Sequence, residues 1–201
     1  FASEHRERGA AGEARRYGEG IAILVGDLAF VYSDQLVAGI GDEARRIWDE
    51  LRVELNIGQV LDLMGSAHQE RRRDKSERIC RYKSGKYTIE RPLHLGAMVA
   101  APSRRDELLP LLSAYGLPLG DAFQMRDDVM GAFGDSALTG KPVGDDLREG
   151  KPTPLLALTC ERASAEQSKV LARVGREALD DADVTEVQDI MRSTGALDSM
   201  E

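Results

Sequence analysis

The stretch FQMRDDVMGAFGD, residues 123–135, decides how this chain is read. Gln124, Asp127 and Asp128 are spaced i, i+3 and i+4, so on a helix they share one face. Adjacent carboxylates on an otherwise apolar helix repel each other unless they are solvated, paired or bridged by a cation. Oxygen ligands of this kind suit magnesium, which keeps several waters and takes one or two carboxylates together with substrate phosphates. The competing reading is a solvated acidic turn near a helix end, where it opposes the helix dipole. Spacing alone leaves the two level.

The segment that follows adds cations. Gly134 to Pro154 holds four glycines and three prolines in 21 residues, which predicts a loop of a length more often functional than connective. Lys141, Arg148 and Lys151 lie in it, with Asp145 and Asp146 between them. Lysine offers phosphate a point charge and magnesium cancels the rest, so an acidic pair followed by a lysine-bearing loop suits a diphosphate held through metal. An ordinary charged surface loop is the other reading, and it remains open for Arg148 and Glu149.

Upstream, the periodicity is helical. Apolar residues recur near helical spacing from Tyr17 to Leu36, and Asp42 can cap a second long helix through Ala67. In NIGQVLDL, Asn56, Gln59 and Asp62 form a polar stripe among aliphatic residues, facing either a wet cavity or polar groups of another helix. In RYKSGKYT, Lys83 and Ser84 follow Ile79-Cys80, and Gly85 permits close helix approach. Lys83 is either a snorkelling surface lysine or a phosphate ligand. The run 68–78 reads as a short solvated helix or loop, Pro92 as a break or a new first turn, and Leu117-Pro118 as a bend. After the loop come LLALTCERA and two amphipathic segments, 165–178 and 184–195. No alternating strand pattern occurs, so the expected class is all-α: an antiparallel helix bundle around a central cavity.

Composition excludes other classes. The chain of 201 residues is 42% hydrophobic and 31% charged, as a globular domain is. Its net charge of -8 argues against nucleic acid, whose binders are basic. Two cysteines, Cys80 and Cys160, cannot build a disulfide scaffold, and Cys160 in its apolar setting reads as core rather than nucleophile. No apolar stretch is long enough to span a bilayer and no leader precedes the first helix, so the expected location is cytoplasmic. GDSALTGKP has one residue too many for a phosphate loop, and the three histidines lack zinc-ligand spacing.

Taken together, these segments resemble the trans-isoprenyl diphosphate synthases of the polyprenyl synthetase family. NIGQVLDL is similar to the family's GQxxD helix, and YKSGKYT to its lysine–threonine segment with Ser84 for threonine. FQMRDDVMGAFGD is similar to the second aspartate-rich motif, and TGKPVGDDLREGKPT to the lysine-bearing loop behind it. The resemblance implies a prenyltransferase that ionises an allylic diphosphate and joins it to isopentenyl diphosphate, with proton loss at the end. It implies Asp127 and Asp128 as magnesium ligands, and Lys83, Lys141 and Lys151 as diphosphate contacts. Gln124 and Ser84 lie beside the diphosphate in that scheme, and Gln59 and Asp62 line the cavity near the reacting carbons. A homodimer through the two long helices after Gly12 is implied in the same way.

Two departures shape the expectation. Gly131 stands where the second motif ends in aspartate. The first aspartate-rich motif, DDxxD, is absent, and in the family it immediately precedes a stretch like FASEHRERG. It carries two further magnesium sites, with the isopentenyl diphosphate site nearby. The chain is therefore expected to be part of one isoprenoid synthase domain, lacking N-terminal helices and its extreme C-terminus, and inactive alone. The alternative is a non-catalytic dimerising or regulatory subunit of a prenyl synthase.

Overall fold

In a computed structural model, residues 1–134 and 143–200 are described, and among them every regular element is helical. The helices are α1 (Ala2–Glu7), α2 (Ala14–Leu36), α3 (Asp42–Ala67), α4 (Arg73–Cys80) and α5 (Arg91–Ala100). They continue as α6 (Arg105–Phe133), α7 (Asp145–Glu149), α8 (Pro154–Arg162), α9 (Ala165–Leu171) and α10 (Asp181–Ser193). The all-α expectation holds.

Local chemistry sets several boundaries. Asp42 and Glu43 place negative charge in the first turn of α3, where the dipole favours it. Thr153 caps α8 by accepting from the Leu156 amide at 3.2 Å, with Pro154 at the first helical position. Ser164–Gln167 and Asp180–Asp183 close reciprocal capping boxes on α9 and α10.

Residues Arg81–Glu90 join α4 to α5 as a wider π-type turn, so one helical rod runs from Arg73 to Ala100. Pro92 does not break it, because it falls in the first turn of α5. Pro110 and Pro118 likewise lie inside a continuous α6. The π-type segment is flanked by α3 and α6, and glycines permit the contact on both sides. A Cβ on Gly58 of α3 would come within 2.6 Å of the Lys83 Cα. One on Gly120 of α6 would meet the Gly85 carbonyl oxygen at 2.5 Å. Such π turns are frequent at functional sites, and this one carries Lys83 and Ser84.

The larger apolar core joins the end of α6 to α7–α10, centred on Leu155, Leu156, Val174, Val187 and Met191. A smaller one joins α3 and α5 through Ala44, Ile47 and Met98. The helix α2 buries no residue, and its Leu24, Leu28, Val31 and Leu36 are exposed. No helix among the described residues is long and apolar enough to cross a membrane.

Candidate functional site

A cavity of about 460 Å³ opens where α3, α4, the π-type turn, α6, α7 and the start of α8 converge. Asp62, Lys83, Ser84, Gln124, Asp127, Asp128 and Lys151 all line it. Of the residues expected from the sequence, Lys141 lies outside the described residues, and Gln59 is exposed and lines no part of the cavity. The helix explains the split within the polar stripe. Gly58 faces the π-type turn, and Asp62, four residues on, shares that face; Gln59 is rotated about 100° away from Gly58. Asn56 turns back on its own helix, donating to the Arg52 carbonyl at 2.8 Å.

The site's charges are arranged in opposed sets. Asp127 and Asp128 project from the last turns of α6, and the Gln124 amide one turn earlier donates to Asp127 Oδ2 at 3.2 Å and Asp128 Oδ1 at 2.9 Å. Asp146, near the start of α7, joins them at the cavity wall. Lys83 Nζ donates to Asp62 Oδ2 at 2.7 Å. Lys151 donates to Asp146 and pairs with Glu149 Oε2 at 3.0 Å. Two ammonium groups thus border one cavity, each held by a carboxylate to one side.

Asp128 is the most perturbed acid. Burial pushes its carboxyl up to about 7; the Gln124 bond opposes this, Asp146 and Asp127 add to it, and Lys83 lowers it. A carboxylate in that state gains from a cation placed beside it. Burial disfavours charge on Lys151, yet the Asp146 and Glu149 carboxylates outweigh burial and keep it protonated above its ordinary range. Cys80, also at the cavity wall, is held as a neutral thiol mainly by burial. Burial likewise raises the thiol of the half-buried Cys160, which packs against the main core, so its reading as core stands.

Asp146 is the residue that sequence reasoning missed. In the sequence it is one of two acids between lysines, and the segment around it folds locally into α7, set off by Gly144 and Gly150 at φ 72° and 66°. A Cβ built on Gly131 would overlap the Asp146 carboxylate. The one available signal was Gly131 itself, the position where the acidic motif lacks its final side chain.

The polyprenyl synthetase family profile matches residues 2–191. The chain belongs to the polyprenyl synthetase family. Among relatives, it is 30% identical over 194 residues to a geranylfarnesyl diphosphate synthase of Aeropyrum pernix, covering 92% of this chain and 59% of that protein. It is 29% identical over 187 residues to a nonaprenyl diphosphate synthase of Mycobacterium tuberculosis, covering 93% and 55%. Among solved structures, a geranylgeranyl pyrophosphate synthase of Corynebacterium glutamicum, complexed with isoprenyl diphosphate and magnesium, superposes with a TM-score of 0.89 at 37% identity. That superposition covers 99% of this chain and 58% of the other. The chain therefore spans less than two thirds of the length of these polyprenyl synthetases.

Proposed function

We propose that this chain carries the diphosphate-holding part of a trans-prenyltransferase, which joins an allylic diphosphate to isopentenyl diphosphate. The observation that carries this is the convergence of Asp127, Asp128 and Asp146 with Lys83 and Lys151 around one cavity. Family membership and the named relatives, all diphosphate synthases, support it.

The donor set fits magnesium. All the candidate ligands are carboxylate oxygens, as a hard cation requires, and among the described residues the buried Asp128 has no positive charge in direct contact. Asp127 and Asp128 would hold the ion, with Asp146 beside them. When bound, magnesium supplies charge neutralisation of the departing diphosphate.

The chain's own residues do the rest. Lys83 and Lys151 present ammonium groups to the diphosphate oxygens, where they stabilise the negative charge that grows as the allylic C–O bond breaks. Asp62 and Glu149 restrain those lysines from one side, so the charges are in place before reaction. Gln124 orients both aspartates. Apolar wall residues such as Ile79 and Met130 limit water near the allylic carbon. The same reading makes the protein a homodimer, supported by the uncovered apolar face of α2.

The test is prenyl transfer by the intact gene product with magnesium, labelled isopentenyl diphosphate and an allylic diphosphate. Asp127→Ala is expected to lower kcat by about 100-fold or more, the scale of removing a group that stabilises transition-state charge. Unchanged turnover in that variant would overturn the reading.

A further inference from the structure

Behind the Lys151 side of the site lies a second cavity, of about 290 Å³, between the α3–α4 turn and α9. Its wall includes His68, Gln69, Arg71, Cys160 and Arg176, with no carboxylate-bearing residue. The half-buried Arg71 uses its guanidinium only on main-chain carbonyls, donating to Glu70 O at 3.1 Å and Val174 O at 2.9 Å. Arg176 donates from Nε to the Gln69 side chain and forms no ion pair among the described residues. The His68 ring makes no hydrogen bond among them either.

Two guanidiniums share this cavity with no carboxylate in its wall, in a chain where 35 acids outnumber 27 bases. The nearby acids are committed elsewhere: Glu70 Oε2 pairs with Lys75 at 2.9 Å, and Glu177 with Arg173 at 2.8 Å. Burial above all lowers the Arg71 guanidinium's affinity for its proton, with Arg176 adding to the effect and Cys160 and Glu70 opposing it. Gln69, which holds Arg176, is the one non-glycine residue at positive φ among the described residues, at 53°. A left-handed backbone at glutamine is a cost that surrounding structure must hold in place.

We propose that this cavity is a second oxyanion site, separate from the carboxylate-lined one, taking a phosphoryl group between the Arg71 and Arg176 guanidiniums. Guanidinium forks match the oxygens of phosphate, and His68 at the rim adds a donor. The site needs no metal, because its charge is already positive. Arg71 anchors it to the Val174 carbonyl, and the next residue, Gly175, abuts Gly150, whose Cα lies 2.9 Å from a Cβ built on Gly175. Gly150 immediately precedes Lys151.

The test is a calorimetric titration of the purified protein with inorganic phosphate, and separately with inorganic diphosphate, both in chelator without divalent cations. Under those conditions the acidic cavity repels anions. Saturable binding at millimolar concentrations is expected, and the tighter of the two ligands identifies the source of the phosphoryl group. Arg176→Gln is expected to weaken binding about tenfold, as loss of a charge-assisted hydrogen bond does. Lys151→Gln is expected to leave it unchanged. Arg71→Gln also removes a link to α9's following turn, so the exposed Arg176→Gln and His68→Gln carry the decision. Absence of binding, equal affinity in Arg176→Gln, or loss of binding in Lys151→Gln would overturn the proposal.

Discussion

The Asp146 carboxylate fills the space that a side chain on Gly131 would occupy. A carboxylate from the neighbouring helix α7 thus lies beside Gly131 of α6. Asp146 borders the same cavity as Asp127 and Asp128, and Lys151 is bonded to it.

Restoring the motif is therefore expected to harm the protein. Gly131→Asp drives a carboxylate into another carboxylate, costing about 1–3 kcal/mol of stability from overpacking alone. Thermal melts and magnesium-dependent diphosphate binding should both fall. The double variant Gly131→Asp with Asp146→Gly is expected to recover part of each, which a double-mutant cycle reads directly. An unperturbed single variant would show that the two positions do not compete.

Close approach of backbones positions Lys83. Gly58→Ala places a methyl group against the Lys83 main chain, and its expected cost is about 1–3 kcal/mol with weakened diphosphate binding. Gly96 of α5 has open space around its Cα, so Gly96→Ala is the matched control, expected neutral or stabilising by up to about 1 kcal/mol. Equal melting temperatures for the two alanine variants would contradict the packing assignment.

The proton on Asp128 sets a pH dependence. Burial is the main cause that raises its carboxyl to about 7, well above the ordinary carboxylate value it has when unfolded. Between those two values the folded state binds the extra proton, so this group's contribution to stability falls as pH rises toward 7 and stays lost above it. Metal-free protein should lose stability from pH 5 to pH 8 relative to Asp128→Asn, by a few kcal/mol at most, roughly 1.4 for each pH unit of the raised interval. Parallel stability profiles for the two proteins would remove the assignment.

An ion-pair cluster ties α3 to the rod beneath the site. Glu54 accepts from Arg91 Nε at 2.7 Å and from Lys86, with side-chain exposures of 17%, 12% and 15%. Burial works against its ionised form, but the Arg91 and Lys86 bonds outweigh it and hold the carboxyl below its ordinary range. Glu54→Gln is expected to cost roughly 2 kcal/mol, less than a fully buried pair because the partners keep some solvent contact. Chemical denaturation measures it, and a loss below the error of that method would demote the cluster to surface decoration.

Much of the fold could be read without coordinates, because its signals are local. The second long helix runs from Asp42 to Ala67 as its sequence suggests, although Gly41 and not Asp42 takes the cap position, and Asp127 and Asp128 reach a shared cavity because their spacing puts them on one face. What could not be read depends on contact between distant segments. Periodicity marks Leu24, Leu28 and Val31 as one face but says nothing of what covers it, and all three are exposed. Gln59 and Asp62 share a stripe in sequence, yet only Asp62 shares the face of Gly58 that meets Lys83. The loop 134–154 was legible as glycine-rich, whereas the helical turn Asp145–Glu149 inside it depends on packing Leu147 into the main core. Asp146 became visible as a site residue only once α6 and α7 were side by side.

In the proposed function the carboxylates of α6 and α7 and the lysines Lys83 and Lys151 together hold a diphosphate through magnesium. Calorimetric titration of the protein with an allylic diphosphate, with and without magnesium, tests it most directly. Tight binding, distinct from the millimolar metal-free binding at the Arg71–Arg176 cavity, is expected to require the metal and to fall at least about tenfold in Asp127→Asn and in Lys151→Gln, as loss of charged contacts does. Equal affinity without magnesium, or wild-type affinity in Asp127→Asn, would contradict it.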